Sequence, residues 1–188
     1  DRFDVPAIHV NSWYDLAVKE TLLVFDLFRR NAESRMSAVN QFAIISPAAH
    51  CGSEFVGNPT VIGARDFGDA RLGYWRIYLD WFDRWLRGVD NGVTDMPKLQ
   101  YYLMGRNEWR GADRWPLPGT RAIDLYLHSG GHANTRNGDG VLSYDAPTDD
   151  PPDTFVYDPA DPVPSVGGPI CCISASAAAA GSYDQSEV

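Results

Sequence analysis

The chain has 188 residues, and its 16 Lys or Arg residues against 25 Asp or Glu residues give a formal net charge of −9 at pH 7. So acidic a chain is unsuited to bind duplex nucleic acid or an anionic membrane surface, because both are recognised by basic residues. Hydrophobic residues make up 44% of the chain, which is enough for a globular core. No apolar run reaches the ~18 residues that span a bilayer, and the length predicts one domain or two small ones.

The chain has three cysteines, Cys51, Cys171 and Cys172. Their number is odd and two of them are adjacent, which argues against a framework of disulfides. This favours a reducing compartment, and hence the cytoplasm over a secreted location, although cysteine use alone leaves the localisation unknown. Because the chain begins with Asp1 and runs directly into a strand pattern, we expect it to be part of a longer polypeptide.

The first half of the chain alternates strand and helix patterns. Apolar runs at residues 7–10 and 41–45 predict two buried strands, and apolar side chains at helical spacing predict a helix over residues 16–30. The strongest helix pattern covers residues 70–87, where two adjacent apolar stripes predict cover on two sides, and Gly88 is a suitable stop. This order predicts a parallel βαβα unit. Two parallel strands alone leave faces and edges uncovered, so we expect further strands from outside this chain.

The second half has a different rhythm. Four short strand patterns are separated by clusters of Gly, Pro and Asp, at residues 98–104, 122–128, 141–144 and 154–157. Short strands at this spacing predict an antiparallel sandwich or a jelly roll. The change of pattern predicts a domain boundary between residues 95 and 96.

Two polar residues follow the two predicted strands, Asp15 after the first and His50 after the second. In an open parallel sheet, reactive groups gather at the carboxyl ends of the strands. An Asp and then a His at successive strand ends fit the last two members of an α/β-hydrolase triad, whose chain order is Ser, Asp, His. In that arrangement the carboxylate holds the His Nδ1–H, and Nε2 deprotonates the serine. The chain has no Gly-x-Ser-x-Gly motif, so we expect the serine to lie upstream, outside this chain.

Five segments resemble motifs of the cocaine-esterase-like serine hydrolases, and they stand in that family's order. They are residues 11–15, 45–50, 82–88, 104–110 with Trp115-Pro116, and 157–168. The family also holds X-Pro dipeptidyl-peptidases, α-amino acid ester hydrolases and glutaryl-cephalosporin acylases. The resemblance implies that Asp15 is the catalytic acid residue and His50 the catalytic base. It also implies an α/β-hydrolase domain with a helical cap, followed by a jelly roll.

The expected fold class is therefore α/β plus β. Residues 1–95 would form the last two strands and helices of an α/β-hydrolase domain, and residues 96–188 an antiparallel jelly-roll β-sandwich, incomplete at its end. The resemblance implies cleavage of ester or amide bonds, X-Pro dipeptidyl bonds among them, through an acyl-enzyme. In the α-amino ester hydrolases, carboxylates two and three positions after the acid bind the substrate ammonium. Ala17 and Val18 stand there, which disfavours an α-amino ester.

The expected partners are a small-molecule ester, amide or short peptide substrate and an upstream hydrolase segment that carries the serine. No nucleic acid, membrane, cofactor or metal is expected, and the oligomeric state stays open, a homo-oligomer included. The alternative function is that of a non-catalytic jelly-roll fragment that binds another protein or a carbohydrate. A Gly-x-Ser-x-Gly motif upstream would favour the enzyme, and its absence would favour the alternative.

Each site residue also has a structural interpretation. Asp15 is suited to cap the helix that follows it, and His50 to bind a loop carbonyl. We interpret Trp13 and Tyr14 as packing residues. Cys51 adjoins His50, but neighbouring loop residues point apart, which argues against a Cys–His dyad.

Two further groups of polar residues are interpreted as solvated loops. His128, His132 and Asp139 match no zinc spacing. The acidic stretch 145–161 lacks the EF-hand pattern that would indicate a Ca²⁺ site.

Overall fold

A computed structural model describes residues 3–164, 166–167 and 180–186. Contacts divide the chain into two compact units: the first unit, Asp1–Pro118 with Val166–Asp184, and the second unit, Gly119–Ser165 with Gln185–Val188. Cys171 and Cys172 lie outside the described residues, as do Ser165 and Gly168 of the motif at residues 157–168.

The first unit is built on a mixed sheet. Its elements in chain order are β1 (Ala7–Tyr14), α1 (Val18–Asn31), α2 (Arg35–Val39), β2 (Gln41–Ala49), a 3₁₀ turn (Ser53–Phe55), β3 (Val61–Ile62), β4 (Arg65–Asp66), α3 (Tyr74–Arg87), a second 3₁₀ turn (Val93–Asp95), β5 (Leu99–Leu103) and β6 (Glu108–Ala112). The sheet order is β1-β2-β5-β6, in which β1, β2 and β5 are parallel and β6 is antiparallel to β5. Within the described residues, no helix combines the length and the apolar character needed to cross a bilayer.

Strand β2 lies at the centre of the core. Its residues alternate between the two faces of the sheet, as in any strand. On one face of the sheet, Ala43 and Ile45 pack against α1. On the other face, Phe42 packs against Trp81 of α3. Burial on both faces explains the continuous apolar run that predicted this strand.

Both parallel strands run further than the sequence pattern predicts. Strand β1 continues through polar residues to Tyr14, and β2 continues past Pro47 to Ala49. The polar residue Ser12 tolerates burial because its hydroxyl donates to the Ala49 carbonyl at 3.0 Å. Pro47 lies next to an irregularity in the pairing with β1, a position where the missing N–H costs no ladder hydrogen bond.

The strand predicted at residues 98–104 joins the first sheet rather than a separate sandwich. In the structure it is β5, which pairs in parallel with β2 so that Leu99 lies opposite Ala43. Leu99 and Tyr101 are buried in the same cluster as Ala43 and Ile45, and this shared core accounts for the pairing. The compact units divide after Pro118. The boundary expected between residues 95 and 96 stays a prediction about domain organisation.

Helix α3 is covered on one side by the described residues. Tyr74 and Trp81 are buried, and Gly88 ends the helix in the left-handed conformation (φ 71°) that favours glycine. The other apolar stripe, which we call the α3 stripe, is 58–77% exposed and consists of Trp75, Leu79, Phe82 and Leu86. A contiguous exposed apolar surface of this kind marks an interaction surface.

We expect this chain, expressed by itself, to self-associate through the α3 stripe, because association removes its apolar side chains from water. Replacing Leu79 and Leu86 together by lysine should convert the associated species to monomers in sedimentation velocity. The matched control replaces Leu23 and Leu27, two exposed leucines of α1, by lysine and changes the charge equally. Equal dissociation by both double variants would assign the effect to charge rather than to the α3 stripe.

The second unit contains one antiparallel strand pair within its described residues. Strand β7 (Tyr126–His128) pairs with β8 (Val141–Ser143), so that Leu127 lies opposite Leu142. Residues 154–157, which the structure describes, form no strand, contrary to the sequence pattern. A jelly roll has eight strands, so the jelly-roll architecture stays a prediction.

Candidate active site

Asp15 and His50 follow the carboxyl ends of two adjacent parallel strands. The pairing of β1 with β2 advances two residues on β1, from Ser12 to Tyr14, while it advances three on β2, from Ser46 to Ala49. This extra residue in β2 places Tyr14 opposite Ala49, and the residues that directly follow the two strands are Asp15 and His50. Without the irregularity, Asp15 would face Ala49, so a one-residue bulge sets the alignment of the pair.

The Asp15 carboxylate holds His50 with one oxygen and the start of α1 with the other. His50 Nδ1 lies 2.5 Å from Asp15 Oδ2, and the Ala17 backbone N–H donates to Asp15 Oδ1 at 2.7 Å. Asp15 thus contacts His50 and the backbone just before α1, although Ala17 and not Asp15 is the N-cap residue of that helix. The structure brings Asp15 and His50 into contact at the ends of two parallel neighbouring strands, and their catalytic roles stay a prediction.

The two side chains differ in exposure. The Asp15 side chain is 5% exposed and that of His50 is 32% exposed. A buried carboxylate that accepts from Nδ1 fixes one tautomer of the imidazole and leaves a lone pair on Nε2. This is the arrangement that a general base requires.

The turn that carries His50 is tightly held. The Gly52 N–H donates to the Ala49 carbonyl at 3.0 Å, and Cys51 between them has a φ of 55°. A non-glycine residue in this left-handed region carries backbone strain, which functional sites often contain. Cys51 is an exposed free thiol.

Buried serines connect the turn to the two strands, and this role was missed in the sequence. The Ser46 and Ser53 hydroxyls are 2.8 Å apart, and the Ala48 N–H donates to the Ser46 hydroxyl at 3.2 Å. The signal that could have revealed this is that Ser12 and Ser46 lie in the two segments, residues 11–15 and 45–50, that resemble family motifs. All three serines are buried, so none presents a nucleophilic hydroxyl to solvent.

Two clefts flank His50, and His50, Cys51 and Phe55 line both of them. The polar cleft, of about 460 Å³, also contains Asp15 and Glu54. The second, of about 620 Å³, is lined by residues 48–52, 55–57 and 60–62, and we call it the 48–62 cleft. The imidazole therefore borders one space whose lining includes carboxylates and one whose lining includes none.

Glu54 in the polar cleft is held by helix α3. The Tyr78 hydroxyl donates to Glu54 Oε1 at 2.6 Å. Burial raises the pKa of Tyr78 above its usual range, and the bond to Glu54 raises it further, so this phenol stays protonated and keeps donating.

Two aromatic side chains of β1, Trp13 and His9, make structural contacts. Trp13 Nε1 donates to the Tyr102 carbonyl at 2.8 Å, and its ring packs on the core beside α1. His9 lies near the Gln41 side chain, and burial lowers the pKa of its imidazole. These contacts agree with the interpretation of Trp13 as a packing residue.

The second unit provides no converging metal ligands among its described residues. His128 Nε2 lies 2.8 Å from the Asp145 carbonyl and Nδ1 lies 2.8 Å from Asp150 Oδ2. Nowhere in the described parts of the chain do three His, Cys, Asp or Glu side chains group as a metal site. The structure thus ties His128 to loop residues and not to His132.

Comparisons with known proteins separate the two halves of the chain. A family model described as the X-Pro dipeptidyl-peptidase C-terminal non-catalytic domain matches residues 91–185. Cocaine esterase from Rhodococcus sp. (strain MB1 Bresler) is 36% identical over 167 residues, which cover 87% of this chain and 27% of that protein. The family model begins after Asp15 and His50, whereas the similarity to the esterase extends over most of the chain.

Two solved structures resemble the fold. An aminopeptidase from the marine sediment archaeon Thaumarchaeota archaeon has a TM-score of 0.58 at 20% identity, covering 86% of this chain and 24% of that one. A CocE/NonD family hydrolase from Staphylococcus aureus has a TM-score of 0.48 at 18% identity, covering 69% and 20%. This chain thus spans between 20% and 27% of the length of these relatives.

Proposed function

The chain belongs to the cocaine-esterase-like and X-Pro dipeptidyl-peptidase family of hydrolases, of which it represents a C-terminal portion, and on this premise we propose that it supplies the Asp and His of a Ser-His-Asp triad. Asp15 orients the imidazole, and His50 acts first as general base and then as general acid. The observation that carries this proposal is the 2.5 Å contact between His50 Nδ1 and Asp15 Oδ2 at adjacent strand ends.

The reaction that fits these roles is acyl transfer to a serine. His50 Nε2 takes the serine proton as the hydroxyl attacks the ester or amide carbonyl, and then returns it to the leaving group. The Asp15 carboxylate stabilises the imidazolium that forms between these steps. The acyl-enzyme is afterwards hydrolysed by water that the same histidine activates.

The serine comes from a segment outside this chain. Ser12, Ser46 and Ser53 near His50 are buried, and the chain has no nucleophile-elbow motif. The relatives are more than three times as long as this chain, which leaves ample length for such a segment.

The exposed apolar surfaces of the first unit support a missing covering segment. The α3 stripe continues into an apolar crevice of about 380 Å³ lined by Ile8 and Val10 of β1 and by Tyr78, Trp81 and Phe82 of α3. Strand β1 is at the edge of the sheet formed by the described residues. Parallel sheets are normally covered on faces and edges, so the serine-bearing segment is suited to pack here.

The substrate is an ester or amide of small size. One relative is named for its action on an ester, as a cocaine esterase, and the archaeal relative is an aminopeptidase. Ala17 and Val18 stand where α-amino ester hydrolases have carboxylates, which favours an ester without an α-ammonium group.

A non-catalytic role is the second candidate, and one observation favours it for part of the chain. Residues 91–185 match a domain whose description is non-catalytic. Asp15 and His50 precede this region, so the two functions divide along the chain: catalysis by residues 1–90, and a structural or binding role for residues 91–185.

Fragment complementation tests the proposal. We expect no turnover of an aryl ester by this chain alone, and no labelling by a fluorophosphonate probe, because the serines beside His50 are buried and the chain has no nucleophile-elbow motif. Joined to the serine-bearing segment, it should give both turnover and labelling of that segment. Labelling of this chain alone would place the nucleophile within it, and an inactive but folded whole protein would favour the non-catalytic role.

A further inference from the structure

We propose that the 48–62 cleft binds an uncharged, apolar group of the ester substrate beside the scissile bond, with Val61 and Phe55 as specificity-determining residues. This inference rests on the proposed function, because it takes His50 as the residue at which the reaction occurs.

The lining of the 48–62 cleft is predominantly apolar. Six of its side chains are Ala48, Ala49, Phe55, Val56, Val61 and Ile62. Among the described residues that line it there is no Asp, Glu, Lys or Arg. A charged group would lose its hydration here without gaining a partner, whereas an alkyl or aryl group would be removed from water.

The size of the cleft fits a small molecule. Its volume of about 620 Å³ lies within the range of about 300–1,000 Å³ that is usual for ligand pockets. Such pockets combine apolar walls with a few polar groups that orient the ligand. Here His50 is the polar group at the edge of an apolar space.

Thr60 holds one wall of the cleft in place. Its hydroxyl donates to the Gly57 carbonyl at 2.8 Å and accepts from the Ala70 N–H at 3.2 Å. Its backbone N–H donates to the Gly68 carbonyl at 2.6 Å, and its carbonyl accepts from the Phe67 N–H at 2.9 Å. Because all these polar groups are paired and Thr60 is buried, the wall is formed before a ligand binds.

The two sides of His50 differ in a way that orients a substrate. The polar cleft contains the carboxylates of Asp15 and Glu54, whereas the 48–62 cleft contains none. An ester with one apolar and one polar side therefore gains most by placing the apolar side in the 48–62 cleft. Phe55 lies between the two spaces, and its ring contacts Trp75 with centroids 6.3 Å apart.

Val61→Trp in the full-length protein tests this placement. Val61 lies on β3 and is 54% exposed, so a larger side chain fills the cleft without entering the core. Turnover is measured in two series. The first varies the acyl group, with p-nitrophenyl acetate and p-nitrophenyl hexanoate, and the second varies the alcohol group, with methyl acetate and hexyl acetate. In one series, kcat/KM for the long ester should fall at least about 10-fold more than that for the short ester.

The matched control is Val39→Trp. Val39 is 47% exposed and ends α2, before the first residue of β2, whereas the cleft is lined by the last two residues of that strand and by residues that follow it. This variant should leave all four esters within about twofold of the wild type. Equal losses for long and short esters in Val61→Trp, or no loss in either series, would overturn the proposal.

Phe55→Ala keeps the test open if Val61→Trp fails to fold. Phe55 is exposed, so its removal leaves no core cavity. We expect KM for the long ester of the affected series to rise about fivefold more than KM for the short ester. If Phe55→Ala leaves the selectivity between the esters unchanged while His50→Ala is inactive, the cleft assignment is overturned and the triad is not. Full activity of His50→Ala overturns the triad, and the cleft assignment with it.

Discussion

In the full-length protein, His50→Ala is expected to lower kcat for an aryl ester by roughly 10⁴-fold or more. Without the imidazole, no group takes the serine proton near neutral pH, and none returns it to the leaving group. His50 is partly exposed and lies in a turn, so the loss of its side chain removes little buried volume. The measurement is steady-state turnover, with circular dichroism to establish that the fold is retained.

His132→Ala is the control for this variant, because His132 is an exposed loop histidine of the second unit. It should retain the kcat of the wild type. A folded His50→Ala protein with wild-type kcat would remove His50 from the mechanism and favour the non-catalytic role.

Asp15→Asn is expected to lower kcat by roughly 10⁴-fold, which is the loss that replacing the Asp of a Ser-His-Asp triad by Asn produces. The asparagine oxygen can still accept the Ala17 N–H, so the start of α1 is preserved. The amide NH₂ then faces His50 Nδ1, where it favours the tautomer whose proton is on Nε2. In that tautomer the imidazole cannot accept the serine proton, and the imidazolium has lost its charged partner.

Asp66→Asn is the matched control, because Asp66 also accepts a backbone N–H two residues further on, that of Gly68, at 2.7 Å. It makes the same local hydrogen bond as Asp15 without contacting a histidine. We expect it to leave kcat unchanged. If both asparagine variants lowered kcat equally, the effect of Asp15 would be one of loop structure and not of the carboxylate charge.

Periodicity was sufficient to locate the two long helices and the parallel strands of the first unit. The apolar spacing predicted α1 and α3 to within four residues at each end, and Gly88 marked the end of α3. It missed α2 (Arg35–Val39), since five residues are too few for a periodic pattern. It also ended β1 and β2 early, because polar Ser12 and Pro47 resemble strand ends when their tertiary partners are unknown.

By itself, the sequence determined the order strand, helix, strand, helix over residues 7–87 and the positions of Asp15 and His50 after the two strands, because both follow from the local hydrophobic pattern. Only the tertiary structure decided that β5 joins the parallel sheet. An apolar residue such as Leu99 is compatible with any buried strand, and its partner Ala43 is distant in the chain. The tertiary structure also decided the extra residue in β2 that brings His50 opposite Asp15. Register depends on pairing between distant segments, and a shift of one residue changes which side chains meet.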